Sequence, residues 1–269
     1  MSAAVPAYFD FLIDGFRSGR MGRNVHLGYW DDPPPLTTPC SPQEFEAAQA
    51  RLTEILLGLA DLSDGQSVLD VGCGFGGALE AAGRWRSMKL SGVNIDPRQL
   101  DICRTLAAGT NSLALVVADA CALPFRPASF DRVLCIEAMF HFRSRELFLR
   151  ETAEAMRRGG RLALSDILLR QPDIDAPLSV ATIETIIRRE YGPWPQLWVT
   201  IDEILDAAQK AGLTPDRVVD ATRQTLPTYR VTAPQEHSGL PPRPSAGNLL
   251  RWLHAAGYAS YLCLSFTKG

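Results

Sequence analysis

The sequence lacks the features that would assign it to a membrane, to nucleic acid or to an oxidising compartment. No apolar run approaches the roughly 20 residues that a membrane-spanning helix needs. There is no C-x-x-C pair: Cys40, Cys73, Cys103, Cys121, Cys135 and Cys263 are scattered, several within apolar runs where a reduced thiol acts as a small hydrophobe. Neither a disulfide framework nor a metal site is expected, and the predicted chemistry is metal-independent. There is no basic excess either: the formal net charge is −3. The short pairs Arg157-Arg158 and Arg188-Arg189 read as solvated helix surface rather than a nucleic-acid face. The first residues show no basic stretch followed by an apolar one, so no signal peptide is expected. The expected location is therefore the cytoplasm, with no membrane or nucleic-acid partner. Internal repeats are absent, as is a Tyr-x-x-x-Lys hydride-site signature.

What is present is an ordinary globular composition, 46% hydrophobic and 21% charged over 269 residues. From Ser67 onwards, short apolar strands alternate with amphipathic helices. Val68–Val71, Leu90–Ile95, Ala114–Ala118, Phe130–Ile136 and Arg161–Asp166 read as strands one to five. A helix over 145–157, stopped by Gly159-Gly160, lies between the last two. This alternation predicts an α/β fold with a mostly parallel sheet and helices on both faces. Before it, Tyr8–Leu12 suggests a short helix. Ser41-Pro42-Gln43-Glu44 carries the signals of a helix start. After Leu169 the pattern loosens through Pro172, Pro177, Pro193 and Pro195, with a helix over 178–190. A helix over 201–211, a strand at Arg217–Asp220, a Pro/Gly/Ser-rich loop over 233–247, a helix from Asn248 to Ala256 and a last strand from Ser260 to Thr267 complete the chain. The expected organisation is an N-terminal helical arm or lid (1–64) and a core (65–269), with 170–200 as a cap over the substrate.

The strongest chemical signal is Asp70-Val71-Gly72-Cys73-Gly74-Phe75-Gly76-Gly77, placed between a strand and a helix. Glycines let the backbone turn tightly and approach a ligand, and a helix N-terminus offers free N–H groups. Gly72, Gly74 and Gly77 also satisfy G-x-G-x-x-G, which keeps a dinucleotide-dependent oxidoreductase open. Asp70 argues against it: an acid there suits a cofactor bearing an amino group and a sulfonium, and opposes a pyrophosphate.

Three further segments follow in order: Asp119-Ala120-Cys121-Ala122-Leu123-Pro124-Phe125, Phe130-Asp131-Arg132-Val133, and Gly159-Gly160 before the fifth strand. Together with the glycine turn this resembles the class I S-adenosylmethionine-dependent methyltransferases, over about residues 65–170. The resemblance implies a Rossmann-like, doubly wound, mostly parallel seven-stranded sheet, with S-adenosylmethionine as cofactor. Carried over residue by residue, it implicates Asp70, Gly72 and Gly74 at the methionine part and Asp119 and Ala120 at the adenine. At the end of strand two the segment Asn94-Ile95-Asp96 departs from the family's usual acid. Asn94 or Asp96 meets the ribose, with Gln99 a further candidate and a helix cap the alternative role for Asp96.

Asn24-Val25-His26-Leu27-Gly28-Tyr29-Trp30, a histidine after strand four, an acid ending strand five and Leu226-Pro227-Thr228-Tyr229 resemble a narrower group, bacterial small-molecule O-methyltransferases of the sugar and macrolide type. That implies His141 as base with Asp166 converging on it, and Tyr29 and Trp30 closing over the cofactor, with His26 as an additional polar contact. Tyr191, Trp194 and Trp198 line the cap or form its core. The expected reaction is methyl transfer to a small-molecule hydroxyl of a specialised metabolite, with a homodimer as the possible assembly. Transfer to carbon in a prenyl or sterol-like acceptor, with Glu137 stabilising a cation, and transfer to nitrogen are the alternatives. A binding module without catalysis remains open on the same fold.

Overall fold

The computed structural model describes residues 8–106, 112–233 and 246–269. Helix α1 (Tyr8–Arg17) leads into an extended arm. Helix α2 (Pro42–Ala60) begins with a complete capping box. The Ser41 hydroxyl accepts from the Glu44 amide and the Glu44 carboxylate accepts from the Ser41 amide, with Pro42 in the first turn.

The core then alternates as the apolar spacing predicts: β1 (Ser67–Val71), α3 (Gly77–Trp85), β2 (Lys89–Asn94), α4 (Pro97–Cys103), β3 (Ser112–Val117), β4 (Phe130–Ile136), α5 (Arg145–Ala155) and β5 (Met156–Leu169). After these come α6 (Val180–Glu190), α7 (Ile201–Lys210), β6 (Leu213–Asp220), the single turns α8 (Thr222–Thr225) and α9 (Tyr229–Thr232), α10 (Ala246–Ala255) and β7 (Ala259–Lys268). Of the expected loop over 233–247, residues 234–245 lie outside the described residues.

The seven strands form one sheet in the order β3-β2-β1-β4-β5-β7-β6. The first five pair in parallel, while β7 runs antiparallel to both β5 and β6. Successive residues alternate between two apolar layers. Val68 and Leu134 pack with Leu52, Leu56 and Leu79 on one face; Leu69, Val71, Val133 and Cys135 pack with Phe148, Leu149 and Ile204 on the other. Strand order reverses between β1 and β4, so a crevice opens at the carboxyl ends of these two strands, where open α/β sheets bind ligands.

Several boundaries differ from the sequence reading: β5 runs on to Leu169, past Asp166, and β6 starts at Leu213, before Arg217. Gly159-Gly160 does not stop the helix: α5 ends at Ala155, and Met156 already pairs with Phe130. The ladder resumes at Arg161 opposite Arg132, so the glycines belong to an irregularity inside β5. Gly159 has φ +71°, a conformation that strains other residues. Strand pairing from Met156 outcompetes one further helical turn. Among the described residues no helix is long and apolar enough to cross a membrane.

Candidate active site

A cavity opens over the carboxyl ends of β1, β2 and β4. Asp70, Gly72, Cys73, Gly74, Asn94, Ile95, Gln99, Asp119, Ala120, Glu137 and His141 line it. The turn after β1 explains its glycines. Gly72 has φ +79°, and a Cβ there would sit 2.5 Å from the Ala138 Cβ. Gly74 and Gly76 are also left-handed, and Gly76 caps α3, whose first residues, Gly77 and Ala78, line the cavity. Asp70 is buried, and that burial raises its carboxyl to about 7.

At the end of β2 the three candidates separate. The Asn94 Oδ1 accepts from the Asp96 amide and its Nδ2 donates to the Gln99 Oε1 at 3.0 Å. Gln99 Nε2, buried and lining the cavity, has no partner of its own. Asp96 does not line the cavity. It caps α4 by accepting from the Arg98 amide, and its Oδ2 pairs with the Arg98 guanidinium at 2.8 Å. The cap role therefore accounts for Asp96, because a proline at the first helical position leaves the next amide needing an acceptor. Asp119 Oδ1 accepts from the Cys121 amide and its Oδ2 stands 3.8 Å from Arg143.

The turn after β4 carries the reactive candidates. Glu137 has φ +51°, an uncommon conformation for a residue with a side chain. Its Oε2 accepts from the Leu27 amide at 2.8 Å and lies 2.9 Å from the Tyr261 hydroxyl. Burial raises this carboxyl to about 7 despite those two donors. His141 is held at both ring nitrogens: Nδ1 lies 3.0 Å from the Pro193 carbonyl and Nε2 lies 2.9 Å from the Tyr8 hydroxyl. A carbonyl oxygen only accepts, so Nδ1 carries the hydrogen and Nε2 presents its lone pair. Burial lowers the imidazole to about 4, which keeps it neutral near pH 7.

Several expectations are corrected here. His141 and Asp166 do not pair. Asp166 is fully buried with its Oδ2 2.8 Å from the Arg145 Nε, and it does not line the cavity. A buried carboxylate takes the nearest full positive charge, and the neutral imidazole already has two partners. Tyr29 and Trp30 also lie away from the cavity. The Tyr29 amide donates to the Ala48 carbonyl, and the Trp30 ring stacks on Phe45 beneath the Arg230 guanidinium. Their arm is anchored by its backbone instead, which turns Arg23, Asn24, Val25 and His26 towards the crevice. In the cap, Trp194 is buried against Phe140 with ring centroids 4.3 Å apart, and the Trp198 Nε1 donates to Glu184. Pro193 and Pro195, rather than those indoles, meet the cavity. Tyr8, Phe9 and Leu12 of α1 complete its wall; their aromatic run signals a helix but nothing in it points to the site.

The comparisons decide the family. A model described as "Methyltransferase domain" matches residues 69–164. The methyltransferase GfsG of Streptomyces halstedii is 34% identical over 240 residues, covering 87% of this chain and 81% of the relative. The chain belongs to the class I S-adenosylmethionine-dependent methyltransferases. A second relative of this methyltransferase, the 27-O-demethylrifamycin SV methyltransferase of Amycolatopsis mediterranei (strain S699), is 33% identical over 216 residues, covering 79% of this chain and 74% of that one. The fold matches the geranyl diphosphate C-methyltransferase of Streptomyces coelicolor A3(2), solved with Mg2+, geranyl diphosphate and S-adenosyl-L-homocysteine. The TM-score is 0.73 and the identity 18%, over 99% of this chain and 100% of that one.

The cofactor of this methyltransferase is S-adenosylmethionine, and the cavity has the donor set for it. Gly72 and Gly74 allow close backbone approach, Asp70 offers a carboxylate to a cationic ligand, and the unpartnered Gln99 Nε2 offers a donor to a hydroxyl.

Proposed function

We propose that this methyltransferase acts on a hydroxyl group of a small, partly apolar specialised metabolite, with His141 as the base. One observation carries the reading: a neutral imidazole lines the cavity with its Nδ1 hydrogen committed to the Pro193 carbonyl, so the Nε2 lone pair faces the Tyr8 hydroxyl at 2.9 Å. An acceptor hydroxyl replaces that of Tyr8 as the donor to Nε2.

When bound, the cofactor supplies an electrophilic methyl group on a sulfonium. Asp70, Gly72, Gly74, Asn94, Ile95, Gln99, Asp119 and Ala120 form its binding wall. The acceptor enters beside α1 and beneath residues 170–200, which serve as the cap, while the arm within residues 1–64 closes the site. Phe9, Leu12, Phe142, Pro193 and Pro195 exclude water from the reacting groups. His141 Nε2 takes the acceptor's hydroxyl proton; that oxygen would receive the sulfonium's methyl group, with the carbon–sulfur bond broken and S-adenosylhomocysteine as the leaving group. Positioning provides much of the rate, since well-oriented reactants reach effective molarities of ~10⁵–10⁸ M. Oxygen as the acceptor atom is consistent with the name of the Amycolatopsis relative, and the free thiols fit a cytoplasmic protein.

Glu137 supports a second reading, transfer to an alkene carbon, because it is a buried carboxylate lining the same cavity near Phe142 and Tyr8. The test compares His141→Ala with Glu137→Gln across a panel of acceptor alcohols, amines and prenyl alkenes, with turnover read as S-adenosylhomocysteine formed. For a hydroxyl acceptor, His141→Ala lowers kcat by ~10²–10⁴-fold. Full activity in His141→Ala, with loss in Glu137→Gln, would replace this reading with carbon methylation.

A further inference from the structure

Asp166, three residues before the end of β5, and Arg145, the first residue of α5, form a charge pair with side chains 0% and 3% exposed. Removing two charges from water is costly, and such a pair is weak evidence for stability by itself. Its other contacts show what it holds. The Arg145 Nη1 donates to the Gln196 carbonyl at 2.7 Å, and the Arg145 amide donates to the Gln196 Oε1 at 2.8 Å. Gln196 is thus gripped by its backbone and its side chain. Three residues earlier, across Trp194 and Pro195, lies the Pro193 carbonyl that receives the His141 Nδ1 hydrogen. Pro193 and Pro195 each have a restricted φ, so the loop between the Gln196 anchor and that carbonyl has few conformations. The Trp194 ring, packed on Phe140 next to His141, removes more of that freedom.

We propose that Asp166, Arg145 and Gln196 are positioning residues for His141: the buried pair clamps Gln196, and the clamp holds the Pro193 carbonyl against Nδ1, which fixes the imidazole tautomer. Asp166 acts on the base through the cap rather than by touching it. The inference rests on His141 being the base for its effect on rate, but not for its effect on the tautomer.

The experiment is nitrogen NMR of the histidine side chains in the 15N-labelled full chain near pH 7.5. His141 is assigned by its loss in His141→Ala, and His26, whose Nδ1 is bound to the Leu27 carbonyl, serves as internal control. Two variants are compared with the parent. Gln196→Ala removes the side-chain half of the clamp. Asp166→Leu with Arg145→Met removes both charges and leaves neither alone. The parent is expected to show a single Nδ1–H tautomer at His141. Each variant is expected to show a mixture, with His26 unchanged and kcat lowered by ~10–10²-fold, the scale of a small misplacement. The KM for S-adenosylmethionine should stay within about twofold. A His141 that keeps the pure Nδ1–H tautomer in a folded variant overturns the proposal. Should the double variant fail to fold, Gln196→Ala alone decides. A shifted tautomer with undiminished turnover, together with an active His141→Ala, would leave the clamp standing and sink the base assignment instead.

Discussion

At the residue scale, burial rather than residue type sets the chemistry. Asp70 and Glu137 are acids raised to about 7, and His141 is a base lowered to about 4, all three primarily by desolvation. The consequence for Asp70 has a definite sign. Below about pH 7 it is protonated, and a cationic ligand favours the carboxylate, so binding expels a proton. Affinity for S-adenosylmethionine should therefore weaken as pH falls through 7, by up to about tenfold per unit below it. Calorimetric titration at several pH values should show that slope in the parent and its loss in Asp70→Asn, with weaker binding throughout. A slope that survives in Asp70→Asn and vanishes in Glu137→Gln would assign the proton to Glu137. The acid before the first glycine was legible from sequence because its place in the strand-to-helix turn is local. Gln99 was one of three candidates there. It stood out only when folding used Asp96 for the α4 cap, bonded Asn94 to the Asp96 amide and the Gln99 Oε1, and left the Gln99 Nε2 without a partner.

At the scale of elements, the arm is attached along its backbone. The Gln49 Nε2 donates to the Asn24 and His26 carbonyls, the Leu27 amide reaches Glu137, and the Gly28 amide donates to the Thr228 hydroxyl at 2.8 Å. The sequence motif ending in Tyr29 and Trp30 and the motif Pro227-Thr228-Tyr229 are thus two halves of one docking contact, 200 residues apart. Thr228→Val keeps the shape and leaves a buried amide unsatisfied. It should destabilise the arm by about 1–3 kcal/mol, seen as faster hydrogen exchange at Leu27–Trp30 with α5 and β5 unaffected. Exchange unchanged in the arm would show that the bond is dispensable. Both motifs were visible in the sequence, but Tyr29 and Trp30 suggested cofactor contacts. The arm's backbone amides and carbonyls make these contacts, and backbone groups have no residue signature. The helix ends were more readable, because a capping box such as Ser41–Glu44 is local chemistry; the end of α5 was not, because β4 supplies the competing partner for Met156.

At the scale of the whole molecule, Glu137 joins the arm, β7 and the cavity through Leu27 and Tyr261. Its raised carboxyl means the native state prefers it protonated, so its contribution to stability falls as pH rises from about 4.5 through 7. Glu137→Gln removes that titration while retaining an oxygen acceptor for both donors. The stability difference between parent and Glu137→Gln, measured by urea unfolding without cofactor, should therefore shift against the parent across pH 4.5–7 and level off above it. The limiting slope is about 1.4 kcal/mol per pH unit. A difference independent of pH would mean that the native carboxyl is not raised. The sequence by itself determined the α/β order, the parallel strands and the glycine turn, because periodicity and tight-turn chemistry act over a few neighbouring residues; the cofactor class came from the order of motifs that resembles the family. Only the tertiary structure decided what Asp166, Tyr8 and Pro193 do. Whether an acid meets an imidazole or a guanidinium, and which carbonyl reaches a ring nitrogen 52 positions away, depends on how separate elements pack over one crevice.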